Sequence, residues 1–121
     1  MKFGVFAALA SPYADRTVIE ALGRTAEERA VDAIARVPEV ITPFPGGVVS
    51  CGSKVGSRYP GLHVSMNEAF APLLRSKSKT QLHDGVNSVL EIVIDGLSEE
   101  AIRKAMKDGM YAAAGDGIVA I

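Results

Sequence analysis

Glu91 stands inside the run Ser88-Val-Leu-Glu-Ile-Val-Ile-Asp95, a carboxylate set among strand formers. Alternate side chains of an extended strand point to opposite faces. Val89, Glu91 and Val93 therefore share one face, and Leu90, Ile92 and Ile94 the other. If the Glu91 face is covered, an ionised carboxylate is costly there and the acid form is preferred. A carboxylic acid held neutral donates a hydrogen bond or a proton. If the face is open to water, Glu91 is a solvated strand residue with no task. The run alone leaves both readings open.

A second place for chemistry is the stretch from Thr42 to Pro60, TPFPGGVVSCGSKVGSRYP, rich in glycine, proline and serine, with Lys54 at its middle. Three readings compete: a phosphate cradle, a bent strand with nothing to bind, or part of a larger site. Gly47 and Gly52 have the spacing of the two glycines of a Walker A loop, but Ser53-Lys54 follows where Lys and then Ser or Thr is required. The reversal displaces both the lysine that reaches the phosphates and the hydroxyl that meets magnesium. Nothing after Lys54 has a helical pattern, so the cradle fails. The plain reading is that Gly46 and Gly47 allow a tight turn, while Gly52 and Gly56 permit bulges or close backbone approach.

Other chemistry is sparse. Cys51 is the lone cysteine and no C-x-x-C or paired-histidine pattern occurs, so no metal site is expected. His63 and His83 are isolated and read as surface or loop residues. Thirteen basic against fourteen acidic residues leave a net charge of −1, with no footprint for nucleic acid. Apolar residues at 48% and charged residues at 22% describe an ordinary globular chain, and its 121 residues a single domain, 1–121. The N-terminal MKFGVFAALAS imitates a weak secretory signal but reads better as a first strand. No run approaches the roughly 20 apolar residues that span a membrane. A cytoplasmic protein with no membrane partner is expected.

The elements that must position these residues follow from periodicity. Residues 2–10 read as strand. A short helix is expected from an Asp15 cap to Gly23, and a second over 26–37, opened by a Thr25/Glu28 capping box and stopped by Pro38. Val31, Ile34 and Val37 give that second helix its apolar face. Val40 and Ile41 begin a strand that enters the glycine-rich stretch, and 88–95 is the clearest strand of all. Ser98 caps a helix over 99–114, with Glu99 and Glu100 at the positive end of its dipole. Its stripe is Ala101, Ile102, Ala105, Met106, Gly109, Met110 and Ala113, and Gly115 ends it before the strand GIVAI. Residues 75–84 read as an exposed loop. Two β-α-β units of this kind predict an α+β fold: a ferredoxin-like sandwich, a four-stranded antiparallel sheet with helices on one face.

The segments P-F-P-G-G (43–47), S-K-V-G-S (53–57) and E-I-V-I-D-G-L (91–97), with NEAFAP between them, occur in an order and spacing that resembles the formylmethanofuran:tetrahydromethanopterin formyltransferases. The resemblance is to the C-terminal lobe and runs from about Glu28 to the end. It implies a ferredoxin-like lobe and transfer of a formyl group between the amine of methanofuran and N5 of tetrahydromethanopterin. Both compounds are substrates; no tightly bound cofactor is implied. Glu91 aligns with the family's proposed catalytic glutamate, so the resemblance favours the functional reading of that residue. Transfer between two nitrogens passes through a tetrahedral intermediate with a charged oxygen, and an acid aimed at it acts as an oxyanion-hole donor. The attacking nitrogen belongs to the pterin, which fits the lack of a Ser-His-Asp or Cys-His arrangement. Phe44, Pro45, Gly46, Gly47, Ser53, Lys54, Gly56 and Ser57 then become candidates for substrate binding. Family clefts lie between lobes and subunits, which implies a homo-oligomer or partner subunits. The alternative is a non-catalytic lobe that assembles with partners or binds a pterin without turnover.

Overall fold

The computed structural model describes residues 2–9, 16–50, 54–63, 67–86, 88–115 and 117–121. Along the chain these form β1 (Lys2–Leu9), α1 (Arg16–Ile34), β2 (Val40–Ile41), β3 (Val48–Ser50), β4 (Ser88–Gly96), α2 (Glu99–Ala113) and β5 (Ile118–Ala120). Short 3-10 turns occupy Pro45–Gly47, Glu68–Phe70 and Pro72–Leu74.

The apolar run of β4 makes it the centre of the sheet. It pairs antiparallel with the whole length of β1, from Lys2 opposite Asp95 to Leu9 opposite Ser88. On its other side it pairs with β2 at Gly96 and Asp95, and with β3 from Ile92 to Leu90. β5 pairs antiparallel with β1 at the far edge. The sheet order is thus β2 and β3, then β4, β1 and β5. Both helices pack against β1, β4 and each other, which places them on one face. The core lies there, with Ala30, Ile34 and Val37 from α1 and its exit meeting Ile92 and Ile94 of β4 and Ala105 and Ala113 of α2.

α2 follows its sequence closely. The Ser98 hydroxyl accepts from the Ala101 amide, and Glu99 and Glu100 fill the first turn. Ion pairs Glu99–Arg103 and Lys104–Asp108 stitch the exposed side at 2.6 and 2.7 Å. Ala101, Ile102, Ala105, Gly109 and Ala113 are buried, with Met106 and Met110 half-buried beside them. The helix ends at Ala113 with Ala114 as its C-cap, so Gly115 follows the cap as expected, although the positive φ belongs to Gly117. The last carbonyls are capped from outside. Arg29 of α1 donates from Nε to the Ala112 carbonyl at 2.9 Å and from Nη2 to that of Ala113 at 3.2 Å. A guanidinium there satisfies orphan acceptors and sits at the negative end of the dipole. A Cβ on Gly115 would lie 3.2 Å from the same Nη2, so the glycine leaves room for it.

The two-helix reading of residues 15–37 is also corrected. One helix runs through Gly23 and Thr25 to Ile34, so Thr25 and Glu28 are interior residues and not a capping box. An internal glycine costs a helix only about 1 kcal/mol. Burial of Ala26, Ala30 and Ile34 along one stripe outweighs that. Asp15 lies outside the described residues. The chain leaves α1 through a turn in which the Val37 amide donates to Ile34, since the residue before Pro38 is steered out of the helical region. Glu39 then adopts φ +66°, and its carbonyl accepts from the Leu97 amide at 3.0 Å, closing the end of the β2–β4 ladder.

Candidate functional site

β4 holds Glu91 in the middle of the sheet. Its register partners are Phe6 of β1 and Val49 of β3. Ile92 and Ile94 are buried under the helices, so alternation turns Glu91 to the opposite face, where it is half-buried. The same face is partly covered, for Val89 is 4% exposed. The connection from β3 to β4 carries buried residues of its own, Ala71, Leu74 and Val86, all separate from the helix-side core. Arg75 secures the end of that connection by donating from Nη2 to the Val86 carbonyl at 2.6 Å.

The glycine-rich stretch divides into two parts. Phe44 to Gly47 form a turn closed by the Gly47 amide donating to the Phe44 carbonyl at 2.8 Å, with Phe44, Pro45 and Gly46 exposed. Gly47 is buried at φ +78°, and a Cβ there would meet the Val31 methyls of α1 at 2.7 Å. Positive φ and close approach both require glycine at that position. The turn is thereby seated against α1, on the helix side of the edge, and Val48 packs on the core. β3 then carries the chain past Glu91. Ser53 lies outside the described residues, as does Cys51.

Beyond them, Lys54 is exposed and Gly56 and Ser57 are half-buried. Ser57 Oγ accepts from the Tyr59 amide at 3.0 Å, a local serine turn. The Gly56 amide donates to Oε1 of Glu68. β3 thus brings Val49 beside Glu91, whereas the turn at Phe44–Gly47 is held on the other side of the sheet edge. His63 and His83 are exposed, as expected of loop residues. Among the described residues no cluster of His, Cys, Asp and Glu is suited to a metal ion. No described helix is long and apolar enough to cross a membrane.

Two acidic residues gain roles that the sequence did not disclose. Glu68 is one, through Gly56. Glu27 is the other: it is 3% exposed within α1, and its Oε1 is buried without a hydrogen-bond partner among the described residues. Burial pushes its carboxyl up from the ordinary 4.5 to about 8, with Arg24 pulling the opposite way. Glu27 sits one turn before Val31, so extending the Val31–Ile34 stripe backwards by four residues would have marked it.

Comparison with known proteins decides the family. Residues 14–121 match the family model described as "FTR, proximal lobe". The chain belongs to this family. It is 54% identical over 90 residues to the formylmethanofuran–tetrahydromethanopterin formyltransferase of Methylococcus capsulatus, covering 74% of this chain and 30% of that protein. The enzyme of the same name from Methanothermobacter thermautotrophicus is 54% identical over 90 residues, covering 73% and 30%. Among solved structures, the Methanosarcina barkeri formyltransferase superposes with a TM-score of 0.73 at 42% identity, over 95% of this chain and 37% of that one. The formyltransferase/hydrolase complex of Methylorubrum extorquens with methylofuran superposes with a TM-score of 0.65 at 37% identity, over 93% and 34%. The chain therefore spans about 30% of the length of these curated relatives. The matched region is the FTR lobe that the motifs of residues 43–97 indicated.

Proposed function

We propose that this lobe serves formyl transfer between formylmethanofuran and N5 of tetrahydromethanopterin, in the one-carbon metabolism of methanogens or methylotrophs. The observation that carries the reading is the identity of 54% over 90 residues to enzymes of that activity, with the family match over residues 14–121 that includes Glu91. The pterin nitrogen attacks the formyl carbon, a C–N bond forms, and the carbonyl oxygen gains charge. Collapse breaks the bond to the methanofuran nitrogen, which leaves as the amine with the proton that N5 gives up. Glu91 is the side chain that stabilises the charged oxygen, and its half-buried position between β1 and β3 limits competition from water. Lys54 and Ser57, with Ser53, supply polar contacts to substrate, while Phe44 to Gly47 shape the neighbouring edge. Reading the broken edge of β2 and β3 as one strand gives the order of a ferredoxin-like sandwich, in keeping with the fold expected for this family. A cytoplasmic enzyme, working as a homo-oligomer or with partner subunits, completes the proposal.

A second reading, an assembly lobe without turnover, is favoured by one observation: large apolar side chains such as Tyr59, Leu62, Leu73 and Leu97 are exposed. The two readings separate on one experiment. The purified native gene product is mixed with formylmethanofuran and tetrahydromethanopterin, and formation of the N5-formyl pterin is followed. Saturable turnover is expected; pterin binding with no formyl product leaves the assembly reading.

A further inference from the structure

Glu68 joins three separate parts of the connection between β3 and β4. Its carboxylate accepts from the Gly56 amide, and its backbone carbonyl accepts from Ser78 Oγ at 3.0 Å. The adjacent Ala69 carbonyl accepts from the Gln81 amide at 2.8 Å and from Thr80 Oγ1 at 3.4 Å. The turn at Glu68–Phe70 is therefore anchored from the 78–81 side, and Glu68 passes that anchorage on to residues 54–57. Gly56 has φ +82° with open space around its Cβ position, so glycine is needed there for its dihedral and not for packing. The carboxylate bond holds the Gly56 amide in place.

We propose that Glu68 is a positioning residue for substrate: by fixing the Gly56 amide it presents Lys54 and Ser57 to the pterin substrate. This rests on the proposed formyl transfer and adds to it a residue that neither reacts nor touches substrate. Preorganising a loop lowers the ordering that binding must otherwise impose, so its loss appears in affinity and not in the chemical step. Side-chain reach, not charge, is the property required. Glu68→Gln keeps both the length and the acceptor oxygen, whereas Glu68→Asp keeps the charge but falls one methylene short of Gly56.

The test uses the native gene product with Glu68→Gln, Glu68→Asp and Glu68→Ala, read by amide hydrogen exchange at Gly56 and by steady-state formyl transfer. Asp and Ala are expected to speed Gly56 exchange and raise KM for tetrahydromethanopterin about tenfold, the equivalent of one lost hydrogen bond, with kcat nearly unchanged. Gln is expected to restore both readouts to near the parent's. Faster exchange with an unchanged KM would overturn the positioning role, as would an Asp variant that behaves like the parent while Gln does not. A fall in kcat without a rise in KM would also overturn it. A parent that neither binds pterin nor transfers formyl would instead remove the proposed function on which the inference stands.

Discussion

Glu27 is where the physics of a single residue is most exposed to test. A carboxyl buried in α1 with one oxygen unsatisfied among the described residues favours its neutral form, and its folded pKa of about 8 lies above the ordinary 4.5. For a group raised in this way the unfolded chain ionises first as pH rises. Its penalty is absent below about pH 4.5, grows through the window to about pH 8, and is constant above it. The steepest loss is about 1.4 kcal/mol per pH unit. Glu27→Gln keeps the shape but cannot ionise, so the variant is expected to melt near the parent at pH 4 and several degrees higher at pH 8. Thermal melts across that range measure it, and parallel profiles for parent and variant would contradict the burial of this carboxyl. The sequence places Glu27 on a helix four residues before Val31, and only continuing the stripe of Val31, Ile34 and Val37 back by one turn marks it as buried. Glu91, by contrast, was legible as an anomaly: a carboxylate in an apolar strand is unusual in any register. The face it occupies followed from alternation, but its half-burial did not, since that depends on a connection of irregular turns with no period to read.

At the scale of elements, α2 was legible almost residue by residue, for its cap, dipole charges and stripe are all local. The capping of its end was not. The residue that caps it, Arg29, is 83 positions away from Ala112 in the chain, and no local pattern announces such a bond. α1 was misdivided for the converse reason. Gly23 and the Thr25/Glu28 pair are genuine local signals, but packing of Ala26, Ala30 and Ile34 against the sheet and α2 overrides them. The Arg29 cap leads to a direct expectation. Arg29→Met keeps much of the aliphatic stem and removes both bonds, and should destabilise the chain by about 1–2 kcal/mol. Denaturant unfolding should show a lower midpoint with an unchanged slope. A variant within about 0.3 kcal/mol of the parent would mean that water replaces Arg29 at the helix end without penalty, the behaviour of many exposed polar contacts.

For the molecule as a whole, the helices bury one sheet face and leave large apolar side chains elsewhere, with Leu97 at 85% exposure. Apolar surface of this kind on a lobe that spans about 30% of its relatives' length suits contact with further protein. The native gene product is expected to run larger than a single chain by light scattering at tens of micromolar protein; a single-chain mass would count against assembly. The sheet face of Val89 does not add to that surface, because Val89 is buried. Function rests on a different point: the motifs at residues 43–57 and 91–97 made the family legible before any fold was known, and the family match over residues 14–121 agrees. What remains to be decided is whether Glu91 takes part in the reaction. The most direct measurement is steady-state formyl transfer to tetrahydromethanopterin by the native gene product, its Glu91→Gln variant and its Glu91→Ala variant. Loss of an oxyanion donor is expected to lower kcat by about 100-fold or more in the Ala variant, with the Gln variant retaining more because it still offers a donor. Equal rates for the parent and the Ala variant would mean that Glu91 is only a strand residue, and the catalytic assignment would fall.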